Sequence, residues 1–211
     1  MEKSNYIILN PQGIETESMQ IISRELMHLS LPEDLAPIIK RVIHTTADFE
    51  YGQLFEAHPD ALANAQKAIK VGCNIYTDTS MIIAGLSKPS LAKYACDAKC
   101  FVHDEGVKTE AKAKGITRSI VGIDKASSDK SFKIFVIGNA PTALVRLCEL
   151  YKEGVVKPDL VIGVPVGFVG AAESKDMLRD SGMPYMLVRG RKGGSTVGVA
   201  ILNAILYGLG K

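Results

Sequence analysis

Arg41, His44 and Asp48 stand at i, i+3 and i+7 toward the end of a stretch that reads as a helix. That spacing puts a guanidinium, an imidazole and a carboxylate on one face. An imidazole ordinarily titrates near pH 6.5, about neutral, so modest neighbours decide whether it carries a proton. A helix C-terminus favours the protonated ring, and Arg41 opposes it. His44 is therefore a candidate general acid or base. A histidine at a helix end is also a common structural residue, and the spacing leaves both readings open. The face borders the apolar stripe of the helix, so the ring is expected half-buried, beside one cation and one carboxylate.

A second set of residues suits anions. Three glycine-rich segments each lead from a strand-like run into a helical one: Gly138 to Thr142, Gly163 to Lys175, and Arg189 to Thr196. Glycine lets backbone approach a ligand closely, and helix N-termini offer unpaired N–H groups at the positive end of a dipole. The third segment adds Arg189, Arg191 and Lys192. Asn139, Gly167, Phe168, Arg189 and Arg191 are thus candidate binding positions for a ligand bearing carboxylates or phosphates. Tight turns alone would explain the glycines of any one segment; three together, one with three cations, favour a ligand edge. Nucleotide motifs are missing. Gly170 is followed by Ala171-Ala172 where a phosphate loop has Lys-Ser/Thr, and no Gly-x-Gly-x-x-Gly follows the first strand.

Thr117-Arg118-Ser119 is a further candidate. Either hydroxyl could cap a following helix, which would put Arg118 in a first turn, where a cation is disfavoured. A bound anion would offset that cost; an ordinary surface arginine is the alternative. The remaining histidines are His28, His58 and His103. A metal site from His103, Asp104 and Glu105 would need side chains pointing in conflicting directions, and no ligand spacing supports one. No metal and no cofactor are expected.

These residues need elements to hold them. Ile14, Met19, Ile22, Leu26 and Leu29 recur at helical spacing, with Glu15 to Glu17 in the predicted first turn. Leu31 to Asp34 breaks that helix and opens a second, with a stripe of Leu35, Ile38, Ile39, Val42 and Thr46. Pro59 to Lys70 is a third, capped near Asp60. The period then changes. Val71–Tyr76 and Lys99–His103 are strand candidates, with Asp78 at the N-cap of a short helix over Met81 to Ala84. Phe132–Ile137, Leu160–Val164 and Tyr185–Val188 are stronger strands. Helices over Ala140–Lys152, Ala171–Ser181 and Ser195–Tyr207 follow them. Alternation with short connections predicts an α/β, doubly wound, mostly parallel sheet with helices on both faces and extra N-terminal helices. In such sheets ligands bind outside the carboxyl ends of the strands, where all three glycine-rich segments fall.

The 211 residues, 46% of them hydrophobic, allow one sizeable core, and a single domain spanning 1–211 is expected. Net charge is +2, from 25 basic and 23 acidic residues, so nothing announces a nucleic-acid partner. Met1 to Tyr6 is polar with no apolar run after it, which argues against a secretory signal. No stretch reaches the roughly 20 apolar residues that span a bilayer. Cys73, Cys96, Cys100 and Cys148 are scattered; Cys96 and Cys100 could share a helix face, but no second ligand pair follows. Reduced thiols in a cytoplasmic protein are expected.

Taken with their neighbours, several of these segments resemble one family over essentially the whole chain. The most specific are Gly138-Asn139-Ala140-Pro141-Thr142-Ala143-Leu144, the eleven residues Pro165 to Lys175, and Arg189-Gly190-Arg191 with Gly193-Gly194-Ser195. Thr117-Arg118-Ser119 and Arg41-Val42-Ile43-His44 fit the same pattern. The chain resembles the precorrin-8X (cobalt-precorrin-8) methylmutases of vitamin B12 biosynthesis. The resemblance implies an isomerase that moves a methyl group from C-11 to C-12 of a polycarboxylated tetrapyrrole, giving hydrogenobyrinate or its cobalt form. It implies that His44 is catalytic and that Ser18, Arg41 and Arg118 contact substrate. It also implies a homodimer with the active site near the subunit interface. Thr45-Thr46 stands where some relatives have smaller residues. A non-catalytic tetrapyrrole carrier is the rival reading, separated by whether precorrin-8 is converted or merely bound.

Overall fold

The computed structural model describes residues 11–210. The polar segment Met1–Tyr6, read above against a secretory signal, lies outside them. Six strands form one sheet: β1 (Phe55–Ala57), β2 (Asn74–Thr77), β3 (Asp97–Lys99), β4 (Phe132–Ile137), β5 (Leu160–Gly163) and β6 (Tyr185–Val188). Their order is β1-β6-β5-β4-β2-β3. Every neighbouring pair is parallel except β1 with β6. The helices are α1 (Pro11–Glu25), α2 (Ala36–Thr46), α3 (Tyr51–Leu54), α4 (Ala61–Val71), α5 (Ser80–Gly85), α6 (Lys88–Lys93), α7 (Glu105–Lys114), α8 (Arg118–Ser127), α9 (Pro141–Lys152), α10 (Ala171–Asp180) and α11 (Ser195–Gly208).

Alternate residues of the central strands point into two separate cores. Ile75, Ile134, Val136 and Ile162 pack against α2, α4 and α11. Tyr76, Phe135, Ile137 and Val161 pack against α8, α9 and α10. A strand buried on both faces needs a continuous apolar run, and Phe132–Ile137 supplies one. Chain direction explains the two layers. From β2 to β3 the chain moves toward one edge through α5 and α6. From β3 it returns past β2 and continues β4, β5, β6 toward the other edge, through α8, α9 and α10. Right-handed crossovers in opposite directions place their helices on opposite faces. The doubly wound prediction therefore holds, and the carboxyl ends of β2 and β4 mark the switch point.

Several local predictions need correction. Glu15 to Glu17 are not in the first turn of α1, which begins at Pro11. β2, at Asn74–Thr77, begins later than the predicted run because Val71 ends α4, and β3, at Asp97–Lys99, shares only Lys99 with the run predicted there. Cys96 and Cys100 share no helix face, because β3 lies between them. Asp60 holds the N-cap position of α4 without a side-chain capping bond. The cap of α5 is Thr79, whose hydroxyl accepts from Ile82 N, and Asp78 is released for another task.

Candidate active site

Asp78 sits at the switch point, 3% exposed. Its carboxylate accepts three backbone N–H bonds from the segment after β4: Gly138 at 2.9 Å, Asn139 at 2.8 Å and Ala140 at 2.7 Å. Burial raises its pKa, against the lowering pull of the three donors. Beside it the Thr79 and Ser195 hydroxyls lie 2.9 Å apart, joining the starts of α5 and α11. A Cβ on Gly138 would come within 2.8 Å of Ser195 Cα, so only glycine permits this approach. The crevice between β2 and β4, where a ligand is usual, is thus filled by the protein's own carboxylate.

The rim after β5 and β6 is built differently. Gly167 N donates to Arg191 O at 3.1 Å, and Gly194 N donates to Val164 O at 2.8 Å, so the two loops are laced together. Gly193, at φ +153°, passes so close that a Cβ there would meet Val164 O at 2.2 Å. Phe168 is 84% exposed, and Arg191 stacks over its ring at 5.6 Å. The three predicted cations divide. Arg189 pairs with Glu56 at 3.0 Å and donates to Gln53 O at 2.6 Å. Lys192 binds Asp48 and Glu50, the latter at 2.5 Å. Among the described residues only Arg191 of the three makes no carboxylate pair, so it is the one left to meet a ligand.

His44 lies in the last turn of α2. Val42 and Ile43 beside it are buried against the core, whereas His44 itself is exposed. The predicted half-buried triad does not form. The helix stops at Thr46, and Ala47 adopts left-handed backbone (φ 53°, ψ 29°), its N–H donating to Ile43 O at 2.7 Å. That conformation costs a non-glycine residue about 1–2 kcal/mol. The reversal sends Asp48 away from the helical face and onto Lys192. Arg41 is also engaged elsewhere, pairing with Glu15 at 2.8 Å and lying over the Tyr207 ring at 5.9 Å. Ser18 donates to Ile14 O within its own helix at 2.8 Å, the local bond that serine commonly makes.

Thr117 is the N-cap of α8, accepting from Ile120 N at 3.3 Å, and Arg118 occupies the first turn as expected. Arg118 is exposed and donates to Val102 O at 3.3 Å. The Thr117 and Thr142 hydroxyls are 3.2 Å apart, which ties the start of α8 to the start of α9 next to Asn139. Ser119 is half-buried and Asn139 exposed. The candidates therefore fall into two sets. His44, Arg41 and Ser18 belong to helices of one sheet face; Thr117, Arg118 and Ser119 belong to the other face.

Three cavities border these sets. Arg41 lines two, of 360 Å³ (with Ile38, Gln66 and Tyr207) and 470 Å³ (with Thr45, Asn203 and Tyr207). Neither includes His44 or Arg118. A third, of 710 Å³, opens between α8, α9 and α10, walled by Ile116, Ile120, Val145, Val169 and Met177. Sequence reading did not anticipate that groove, whose exposed apolar residues Ile116, Val169 and Met177 are widely spaced along the chain. Lys175 was also passed over, as the last residue of a family motif. It is 1% exposed, and its ammonium donates to Lys192 O at 2.8 Å. Burial lowers its pKa to about 8.

No group of three or more His, Cys, Asp or Glu side chains among the described residues could hold a metal ion. Among them, no helix is long and apolar enough to cross a membrane.

Comparison with known proteins agrees with this architecture. The family model described as precorrin-8X methylmutase matches residues 13–208. A cobalt-precorrin-8 methylmutase of Priestia megaterium is 45% identical over 199 residues, covering 94% of this chain and 88% of its own. One from Salmonella typhimurium is 44% identical, covering 97% and 98%. A crystal structure of precorrin-8X methyl mutase from Thermus thermophilus superposes with a TM-score of 0.88 at 35% identity, covering 94% of this chain and 96% of that one. With the family model matched along nearly the whole chain and relatives of this identity covered over most of their length, the chain belongs to the precorrin-8X methylmutase family of isomerases.

Proposed function

We propose that this chain moves a methyl group from C-11 to C-12 of precorrin-8X or cobalt-precorrin-8, with His44 as the proton donor. The bond from the methyl carbon to C-11 breaks and one to C-12 forms, so the product has the substrate's composition. Charge that builds on the macrocycle during migration is met by a proton or strong hydrogen bond from a protonated His44. Because the reaction is an isomerisation, any proton given to the ring is matched by one returned. The observation that carries this reading is the position of His44. It is exposed at a helix end that is tied through Asp48 and Lys192 to the loop bearing Arg191.

The substrate's acetate and propionate arms call for cations and N–H groups spread around a wide rim. Arg191, with Phe168 under its guanidinium, Arg118, Thr117, Ser119, Asn139 and Gly167 are proposed to receive them. Arg189 and Arg41 would do so only by sharing or leaving Glu56 and Glu15. Ser18 would have to turn its hydroxyl from Ile14 O. A homodimer with its active site near the interface fits the division of these residues between two sheet faces: a partner subunit can supply the wall that one chain lacks. Free Cys73, Cys96, Cys100 and Cys148 fit a reducing compartment such as the cytoplasm.

The test is purified protein with metal-free and cobalt-loaded precorrin-8, followed by absorption. Conversion is expected for the wild type. His44→Ala should lose turnover by at least about 100-fold, within the range of general acid catalysis, while still binding the product. Near-normal turnover would remove His44 from the mechanism, and binding without conversion by the wild type would favour a carrier.

A further inference from the structure

We infer that Lys192 is a positioning residue for His44, braced from behind by Lys175; this rests on the reading of His44 just given. Three direct contacts make the strut. Lys175, buried in α10, donates its ammonium to the carbonyl oxygen of Lys192 at 2.8 Å. The Lys192 side chain then crosses to the turn after α2, where Asp48 and Glu50 both receive its ammonium. That ammonium also lies over the ring of Tyr51, at 5.7 Å, and Tyr51 is 5% exposed.

The turn it grips is the one that ends the His44 helix. Ala47 holds left-handed backbone without being glycine, and Glu50 N donates to Asp48 Oδ1 at 3.0 Å, which folds the turn on itself. His44 lies in the last turn of the helix, and only Thr45, Thr46 and Ala47 separate it from Asp48. Moving the turn therefore moves the imidazole. Lys175 fixes the other end of the strut to the helix that starts at the Gly167–Gly170 loop, so the imidazole and the Phe168–Arg191 pair share one frame.

A simple stabilising role fits less well. The Lys192 side chain is 37% exposed and that of Asp48 34%, and such part-exposed pairs contribute little to folding. A role in binding substrate arms also fits less well, since two carboxylates already occupy the Lys192 ammonium. Geometry remains, and in catalysis geometry is expensive: a displacement of about 1 Å can cost roughly 100-fold in rate.

The experiment compares Lys192→Met, Lys192→Arg and the double variant Asp48→Asn/Glu50→Gln, each as full-length protein, with His44→Ala alongside. Lys192→Met should lower kcat about 10- to 100-fold while KM stays within about threefold. Lys192→Arg should recover most of the rate, because a guanidinium can still bridge both carboxylates. Asp48→Asn/Glu50→Gln should reproduce the loss, and adding Lys192→Met to it should cost nothing further. A kcat for Lys192→Met within about twofold of wild type, or a loss confined to KM, overturns the proposal. So does failure of the arginine to rescue. If Lys192→Met does not fold, the arginine and carboxylate variants decide on the same criteria. An inactive His44→Ala beside a normal Lys192→Met would sink the strut alone, whereas a fully active His44→Ala would sink the reading beneath it.

Discussion

The two places where this sheet could receive a ligand are opposites. At the switch point between β2 and β4, Asp78 draws three N–H groups onto itself, and the Thr79 and Ser195 hydroxyls satisfy each other. At the rim after β5 and β6, Phe168 and Val169 are 84% and 90% exposed, and Arg191 lies over the Phe168 ring with no carboxylate pair among the described residues. The first region uses its polar groups to hold the scaffold together; the second ties down Arg189 and Lys192 in the same way but leaves Arg191 open. A large polycarboxylate suits the second, because it needs scattered anchors and a broad apolar surface rather than one deep phosphate cradle. Glycine serves both regions for different reasons: Gly138 closes the switch point, and Gly193 lets the two rim loops touch.

Breaking the closed region should have the largest effect on stability. Asp78→Ala removes a buried acceptor and leaves three N–H groups to find water or go without. We expect a loss of about 3–5 kcal/mol in unfolding free energy, measured by urea denaturation. A loss below about 1 kcal/mol would mean that water replaces the carboxylate easily and that the switch point is open after all.

How much of this was legible beforehand follows the same division. β4, β6 and the helices after them were readable because continuous apolar runs and helical periodicity act locally. β1 was not: Phe55–Ala57 is three residues long, antiparallel, and has its register set by Met186 to Val188, which no local pattern records. The candidate residues lay in the right loops, yet their engagements were hidden. Asp48 looked like a neighbour of His44 because the spacing assumed an unbroken helix, and a left-handed alanine gives no compositional cue. Lys192 looked like a free cation because its acceptors lie 144 and 142 residues away. Asp78 looked like a helix cap because capping is the commonest use of an aspartate at that place.

The link between the two rim loops can be probed through pH. Buried Lys175 has its pKa lowered from 10.5 to about 8. Between those values the unfolded chain holds a proton that the folded chain has shed. Stability therefore rises with pH across the window, and the cost of the buried charge is fully present below pH 8. The shift corresponds to about 3 kcal/mol at most. Lys175→Met should lack that rise. The difference between the two proteins is the quantity to measure, since Tyr51 and Tyr76, both raised by burial, pull stability down at the alkaline end in each. Parallel curves from pH 7.5 to 10.5 would mean that Lys175 is solvated and that the loops are braced by their backbone bonds alone.

The smallest effect on folding, and the sharpest on the open region, belongs to Arg191. Its guanidinium is exposed and makes no carboxylate pair among the described residues, so Arg191→Met should leave the melting temperature within about 2 °C. The methionine keeps a flexible apolar contact with Phe168 while removing the charge. If Arg191 receives a carboxylate arm, substrate or product binding should weaken about 10-fold, the usual worth of one charge-assisted hydrogen bond, with kcat less affected. The effect should shrink with added salt, because the site is open to solvent. Arg189→Met should behave in the reverse sense, with some loss of stability from the severed Glu56 and Gln53 contacts and a weaker effect on binding. Should the two arginines prove interchangeable in both measurements, intramolecular pairing would not be what separates a structural cation from a ligand-binding one on this rim.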